Sequence, residues 1–180
     1  MKRILVVIDM QNDFIDGALG TPEAQAIVPA VAAKVKQYVE SGDPIIYTAD
    51  THDDNYLDTI EGKKLPVPHC IYGTPGWETK EEVYTGDSIV MKDTFGSWEL
   101  PQYVVNTVSA GIHDFRKVEA IEVVGLCTDI CVISNVMILK AWFPNTPIVV
   151  DAACCAGVTP ESHRNALNAM KMCHIEVINE

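Results

Sequence analysis

The sequence predicts an α/β fold in which a parallel sheet of six strands is flanked by helices on both faces. Short runs rich in Val and Ile alternate along the chain with longer segments that have helical apolar spacing. The short runs are continuously apolar, which is typical of strands that are buried on both faces of a parallel sheet. Strands that alternate with helices in this way are joined by right-handed crossovers, so the helices cover both faces.

Six segments have the composition of buried strands. The first is β-branched and apolar until Asp9 interrupts it, and the second follows a turn that contains Gly42 and Pro44. The predicted strands are residues 3–8, 44–48, 87–91, 121–124, 147–151 and 175–178.

The helices are predicted from their start signals and their apolar spacing. A capping threonine before proline marks two starts, at Thr21-Pro22-Glu23 and Thr159-Pro160-Glu161. Thr128 or Asp129 caps a third helix. The predicted helices are residues 21–39, 100–115, 128–139 and 159–172. Residues 49–80 have no regular period, so we expect a long loop, and loops of this length inside a compact domain are usually functional.

Length and charge limit the possible functions. A chain of 180 residues is the size of one domain, so we expect a single domain over residues 1–180. The formal net charge of −12 argues against nucleic acid or an anionic membrane as a partner, because both would repel it. The chain is too large and too apolar to need disulfides, so we expect six reduced thiols. The first apolar run is too short for a signal peptide or a membrane span, and we therefore expect a cytoplasmic protein.

Reactive side chains follow four of the predicted strands. Asp9 ends the first strand, Asp50 lies just past the second, Lys92 follows the third, and residues 125–131 form a turn after the fourth. Parallel sheets bind their ligands beyond the carboxyl ends of the strands, so an acid, a base and a thiol are predicted to converge at one edge. Separately, each could instead be a turn cap, a loop residue or a surface amine.

Cys131 is the candidate nucleophile in this set. It lies in the predicted first turn of a helix, where the partial positive charge of the helix start favours a thiolate. Free backbone N–H groups at such a turn can bind an oxyanion. The alternative is that Cys131 is a small buried apolar residue, as many free cysteines are.

Three segments resemble the Asp-Lys-Cys triad segments of the isochorismatase-like cysteine hydrolases, a family that includes nicotinamidases. They are I-D-M-Q-N-D-F at 8–14, V-M-K-D-T-F at 90–95 and G-L-C-T-D-I-C-V at 125–132. The resemblance implies the six-stranded parallel fold and assigns Asp9 as the base, Lys92 as a fixed positive charge and Cys131 as the nucleophile of an amide hydrolysis. It also implies a cis peptide bond between Leu126 and Cys127, and an oxyanion site formed by the N–H groups of Cys127 and Cys131.

The resemblance extends to a metal loop, in A-D-T-H at 49–52 and P-H-C-I-Y-G-T-P-G at 68–76. Asp50 and His52 lie two apart, which in an extended backbone turns both side chains to one side, and His69 can return to them across the loop. Glu61 resembles a fourth ligand in some nicotinamidases, with Asp53, Asp54 and Asp58 as alternatives. Such mixed ligands suit one divalent transition metal, zinc first, with iron or manganese as alternatives.

The family pocket binds an aromatic amide, and this chain departs from it in one place. Phe14 matches an aromatic wall, and we expect Phe95 and Trp98 to supply others. An aromatic residue expected before the Pro-His element is replaced here, and Leu65 could cover the ring instead.

The resemblance therefore predicts a metal-containing nicotinamidase that forms a thioester and acts as a homo-oligomer on a small amide. The alternatives are an enzyme for another small amide, such as a carbamoyl or ureido compound, and a catalytically silent metal-dependent binding module.

Overall fold

The computed structural model of the chain describes residues 2–108 and 118–180. Six parallel strands form one sheet in the order β3-β2-β1-β4-β5-β6. The strands are β1 Lys2–Ile8, β2 Ile45–Asp50, β3 Ile89–Lys92, β4 Val118–Leu126, β5 Ile148–Ala156 and β6 Glu176–Ile178. The predicted fold class is confirmed.

Six α-helices surround the sheet in the described residues, and two of them start where the proline signals predict. The helices are α1 Asn12–Ile15, α2 Pro22–Ser41, α3 Ile60–Lys64, α4 Leu100–Val108, α5 Ile133–Trp142 and α6 Pro160–Met172. Thr21 Oγ1 accepts a hydrogen bond from Ala24 N at the start of α2, and Thr159 forms a capping box with Ser162 at the start of α6. The predicted continuation of α4 to residue 115 lies outside the described residues. Across residues 2–108 and 118–180, none of the helices combines the length and the apolarity that a membrane span needs.

Strand β1 lies between two apolar clusters, one on each face of the sheet. Its even-numbered side chains Ile4, Val6 and Ile8 pack with apolar residues of α4, α5 and α6. Its odd-numbered side chains Leu5 and Val7 pack with the apolar face of α2. Because both faces are covered, the strand is apolar at every position from Ile4 to Ile8 rather than at every second one.

The loop at 49–80 differs from its prediction, because it contains a turn of 3-10 helix at Tyr56–Asp58 and the helix α3. Thr59 Oγ1 accepts a hydrogen bond from Gly62 N and thereby caps this short helix. A helix of five residues is too short to produce a periodic pattern. Strand β5 also runs five residues past its predicted end, with a register shift against β4 between Val123 and Gly125.

The strand order reverses between β1 and β4, and Gly125 allows their ends to approach closely. Its φ is 117°, and a Cβ atom there would lie 2.1 Å from the carbonyl oxygen of Ile8. Only glycine accommodates both conditions. Asp9 follows β1 directly at this point, so the close contact brings the ends of β1 and β4 together where parallel sheets bind ligands.

Candidate active site

Asp9, Lys92 and Cys131 converge at the carboxyl edge of the sheet. Lys92 is the last residue of β3, and its Nζ lies 2.7 Å from Asp9 Oδ2 and 3.6 Å from Cys131 Sγ. All three residues are buried. Thr48 Oγ1 donates a hydrogen bond of 2.6 Å to Asp9 Oδ1, which orients the carboxylate toward the lysine. The structure thus brings together an acid, a base and a thiol that lie far apart in the sequence.

The charges in this group favour a neutral thiol beside an ion pair. Burial raises the pKa of Asp9, and Lys92 opposes this increase. Burial lowers the pKa of Lys92, but Asp9, Cys131 and Asp50 together raise it above its usual value, so the ammonium stays charged. Burial, followed by the charge of Asp9, raises the pKa of Cys131. Burial of the sulfur and the charge of Asp9 thus oppose the thiolate that the helix start is expected to favour.

Cys131 lies in a wide turn rather than in a regular first turn of α-helix. Thr128–Val132 forms a turn of π-helix that precedes α5. The carbonyl of Cys127 accepts hydrogen bonds from Ile130 N at 3.0 Å and from Val132 N at 3.1 Å. The peptide bond between Leu126 and Cys127 is cis. The turn that carries Cys131 therefore directly follows β4 and precedes α5.

Asp50, His52, Glu61 and His69 form a cluster beside the ion pair. Their potential ligand atoms all lie within 4.8 Å of one another. The Nε2 atoms of His52 and His69 lie 3.0 Å and 3.6 Å from Asp50 Oδ2, and 3.8 Å and 3.7 Å from Glu61 Oε1. Two imidazoles and two carboxylates are a donor set that suits a divalent transition metal. His69 Nδ1 lies 2.8 Å from the carbonyl oxygen of Val67, a partner that leaves Nε2 as the ligand atom. These residues fit a metal ion.

Asp50 connects the cluster to the ion pair through its two oxygens. Oδ2 faces the histidines, whereas Oδ1 lies 3.4 Å from Lys92 Nζ. Although burial alone would raise the pKa of Asp50, hydrogen bonds from His52 and His69 and the charge of Lys92 hold it well below its usual value. Asp50 therefore stays ionised, as a metal ligand must be.

One cavity of about 650 Å³ is lined by members of both groups. Cys131 lines it together with Asp50, Glu61 and His69. The remaining wall is mainly apolar and includes Phe14, Leu65, Phe95, Leu126 and Cys127. A molecule in this cavity would touch the sulfur and the cluster at the same time.

A sequence profile of the isochorismatase domain matches residues 3–179. The chain belongs to the isochorismatase family. A nicotinamidase of Schizosaccharomyces pombe is 26% identical over 207 aligned residues, which cover 98% of this chain and 92% of that protein. The crystal structure of the nicotinamidase/pyrazinamidase of Bacillus subtilis has a TM-score of 0.82 at 26% identity and covers 99% of this chain and 100% of its own. The N-carbamoylsarcosine amidase of Thermoplasma acidophilum has a TM-score of 0.76 at 25% identity over 98% of this chain and 95% of its own. The predicted family resemblance is confirmed.

One predicted pocket residue is wrong in this isochorismatase-family site. Trp98 is 77% exposed and does not line the cavity, unlike Phe14, Leu65 and Phe95. The reason is the local turn, because Ser97 Oγ accepts a hydrogen bond from Glu99 N just before α4. This turn leaves the indole in solvent. The alternative metal ligands Asp53, Asp54 and Asp58 are also exposed and lie outside the cluster.

Several residues that support the isochorismatase-family site were not predicted. Gln11 is fully buried and holds the backbone of Asp50, with Asp50 N donating to Oε1 at 2.7 Å and Nε2 donating to the Asp50 carbonyl at 2.8 Å. Asn135 Nδ2 donates to the carbonyl oxygens of Cys131 at 2.8 Å and Phe95 at 3.1 Å. The ring of Tyr56 packs against both histidine rings. Gln11 lies inside the motif around Asp9, which was its only signal, and Asn135 and Tyr56 had none.

Proposed function

We propose that this protein is a metal-dependent cysteine amidohydrolase and that its substrate is nicotinamide, which it converts to nicotinate and ammonia. One observation carries the proposal: Cys131, paired with Asp9 and Lys92, shares a cavity with a cluster that can hold a metal. The similarity to nicotinamidases along nearly the whole chain supports the choice of substrate.

In the acylation step, Asp9 takes the proton of the Cys131 thiol as the sulfur attacks the amide carbonyl. The raised pKa of Asp9 makes its carboxylate a stronger base than it is in water. A C–S bond forms, and the backbone N–H groups of Cys127 and Cys131 hold the oxyanion. Asp9 then gives the proton to the amide nitrogen, the C–N bond breaks, and ammonia leaves a thioester on Cys131.

In the deacylation step, a water molecule attacks the thioester while Asp9 takes its proton. The C–S bond breaks, the acid is released, and the proton passes to the sulfur. Lys92 keeps its positive charge throughout, because its raised pKa lies far above neutral pH. It stabilises whichever of Asp9 and Cys131 carries the negative charge.

Asp50, His52, Glu61 and His69 would hold the metal, and zinc suits this donor set best. A bound ion would act as a Lewis acid toward a ring nitrogen and fix the orientation of the substrate. His69 is kept in the ligating tautomer by the carbonyl of Val67, and Asp50 is kept ionised by its neighbours.

A comparison of three amides tests this proposal. Nicotinamide and pyrazinamide should be hydrolysed by zinc-loaded protein, with ammonia release as the measurement. Benzamide has the same ring shape but no ring nitrogen, so it should be a far poorer substrate. Unpaired buried groups can lower a rate by roughly 10⁴-fold. The difference between nicotinamide and benzamide should be smaller than this, because a water can take the place of the ring nitrogen. Equal rates for nicotinamide and benzamide would contradict coordination of the ring nitrogen.

A linear carbamoyl amide is the second candidate substrate. The structural similarity to N-carbamoylsarcosine amidase favours it, and Lys64 places a cationic side chain at the cavity wall. Ammonia release from N-carbamoylsarcosine, with none from the three aromatic amides, would select this reaction. Metal binding without turnover of any of the four amides would instead indicate a catalytically silent binding module.

A further inference from the structure

We propose that the cavity selects carboxamides that carry a neutral apolar substituent beyond the ring, and that the apolar side chains at its outer end bind this substituent. The inference rests on the proposed amide hydrolysis. The inference adds a substrate class to that function, because an amide with a single ring does not fill the outer part of the cavity.

The size of the cavity is the first argument. Its volume of about 650 Å³ lies within the range of pockets that bind drug-sized ligands, roughly 300 to 1,000 Å³. Nicotinamide is a single six-membered ring with one amide group. Its amide must reach the sulfur of Cys131, which is only 5% exposed, so the ring occupies the inner end. The outer part would then be filled by water.

The chemistry of the outer wall is the second argument. Four large apolar side chains line the cavity and are also partly exposed: Ile60 is 77% exposed, Val158 51%, Phe95 48% and Leu65 38%. They come from α3, the segment after it, the loop after β3 and the loop after β5. Apolar side chains gathered at the mouth of a cavity from separate segments are typical of a ligand-binding surface. Their burial by a substituent would contribute binding free energy in proportion to the covered area.

The charges of the wall are the third argument. Asp50 and Glu61 lie at the inner end, and the outer residues Lys64 and Asp93 carry opposite charges. No described lining residue is an arginine, and the net charge of the chain is −12. An anionic substituent would therefore find one lysine and an unfavourable overall field, whereas a neutral apolar one would find four side chains to contact.

The test is a series of nicotinamides with methyl, ethyl or propyl groups at ring carbon 4, 5 or 6, assayed with zinc-loaded protein. At one ring position at least, kcat/KM should rise about fourfold for each added carbon, the equivalent of about 0.8 kcal/mol. A carboxylate of similar length at the same position should remove this gain. If nicotinamide is hydrolysed and no ring position gains from a longer chain, the inference is overturned while the proposed function stands. A rate that falls as the substituent lengthens, at every ring position, would also overturn the inference. That result is expected if a second copy of the protein covers the outer wall.

Two variants locate the effect. Ile60→Ala and Val158→Ala should each lower the ratio of kcat/KM for the propyl compound to that for nicotinamide by several fold. Leu57→Ala is the matched control, because Leu57 is 51% exposed, lies in the turn of 3-10 helix just before α3 and does not line the cavity. An equal change in the ratio for all three variants would contradict the assignment of the wall.

A binding measurement decides the inference even if no amide is turned over. Calorimetric titration of Cys131→Ala protein with the same compounds should give an affinity that rises with chain length by a similar factor. A constant Kd across the series would overturn the inference, whatever the fate of the proposed function.

Discussion

Two lysines in this molecule, the buried Lys92 and the partly buried Lys34, each lie between two carboxylates, but their surroundings differ. Lys92 Nζ lies 2.7 Å from Asp9 and 3.4 Å from Asp50. Lys34 Nζ lies 2.6 Å from Glu122 and 2.8 Å from Asp151, on the face of the sheet that α2 covers. Each lysine has a pKa that its carboxylates raise although burial lowers it. In both groups a lysine thus lies between two carboxylates, although the group around Lys34 also includes Arg3, whose Nη2 lies 3.4 Å from Glu122 Oε2.

The group around Lys34 even includes a cysteine. Cys154 is buried near Asp151, and burial, followed by the charge of Asp151, raises its pKa to about 12. The difference lies in position. Glu122 and Asp151 lie in the middle of β4 and β5, whereas Lys92 and Asp9 lie at strand ends.

Access separates the two groups as well. Neither Lys34 nor Cys154 lines the cavity that contains Cys131, and Tyr38 OH and Asn179 Nδ2 donate to the carboxylates around Lys34. Both groups therefore contain acids, a lysine and a thiol, but the thiol of Cys131 lines a cavity at the carboxyl ends of the strands and that of Cys154 does not. We expect this difference in access to decide which group reacts.

The largest expected difference between the groups is at the two cysteines. Cys131→Ala should reduce turnover by on the order of 10⁵-fold or more, because no other group can form the thioester. Cys154→Ala should keep kcat within about twofold, since that sulfur has no access to substrate. Ammonia release per folded chain is the measurement, with circular dichroism to check folding. Full activity in Cys131→Ala would remove the assignment of the nucleophile.

The two lysines should separate activity from stability. Lys92→Met should lower kcat by roughly 10²- to 10³-fold. Without the ammonium the pKa of Asp9 would rise further, so its carboxylate would be protonated and could not act as the base. Lys34→Met should leave kcat per folded chain nearly unchanged. Lys34→Met should lower the free energy of unfolding by about 3 kcal/mol. This value is at the low end of the range of costs for breaking a buried ion pair, because the Lys34 side chain is 15% exposed. Urea titration measures the stability, and a large loss of kcat in Lys34→Met would end the distinction between the groups.

The ends of β1 and β3 were predictable from the sequence because they are local features, unlike the end of β5. Continuously apolar runs that stop at Asp9 or near Lys92 identify buried strands, and the parallel arrangement brings their ends together. The spacing of Asp50 and His52 is also local. Glu61 could be assigned only through the family resemblance, because nothing in the residues around it distinguishes it from Asp58.

The group around Lys34 was not predictable, and neither was the orientation of Trp98. Glu122 interrupts an apolar strand, but its partners Lys34 and Asp151 come from segments 88 and 29 residues away in sequence, and no local pattern joins them. The exposure of Trp98 depends on the turn that Ser97 caps. Asn135 has the same limitation, because its partners Phe95 and Ser97 are brought to it only by the packed structure.

The candidate metal site is a further difference, since Asp50 joins the group around Lys92, and not the group around Lys34, to the cluster of possible metal ligands. Protein purified from metal-replete medium should contain about one transition-metal ion per chain, and His69→Ala should lose it. His163→Ala is the control, because His163 lies outside the cluster and its Nδ1 is 2.8 Å from Thr128 Oγ1. Elemental analysis after dialysis is the measurement. Equal metal content in both variants would contradict the assignment of the cluster.

The smallest expected effect is at two asparagines that support the two groups. Asn135 joins the carbonyl of Cys131 to the loop that carries Phe95, and its Oδ1 accepts a hydrogen bond of 2.9 Å from Ser97 N. Asn135→Asp keeps this acceptor but removes the hydrogen-bond donor to the carbonyl of Cys131. The sulfur should then shift by a fraction of an ångström, which weakens its attack on the amide, so we expect kcat to fall about tenfold. Asn179 Nδ2 donates to Asp151 Oδ2 at 3.1 Å, its one side-chain hydrogen bond within residues 2–108 and 118–180.

Asn179→Gly is the matched variant, since glycine tolerates the φ of 56° at this position and only the side chain is lost. It should cost at most about 1 kcal/mol of unfolding free energy and leave kcat unchanged. Steady-state kinetics of both variants is the measurement. The folded fraction is counted as the number of Cys131 thiols that a substrate protects from alkylation, and kcat is expressed per protected thiol. A misplaced sulfur then lowers kcat, whereas a smaller folded fraction does not. If Asn135→Asp loses no more kcat than Asn179→Gly, the position of Cys131 does not depend on Asn135, and the turn at Thr128–Val132 holds the sulfur by itself.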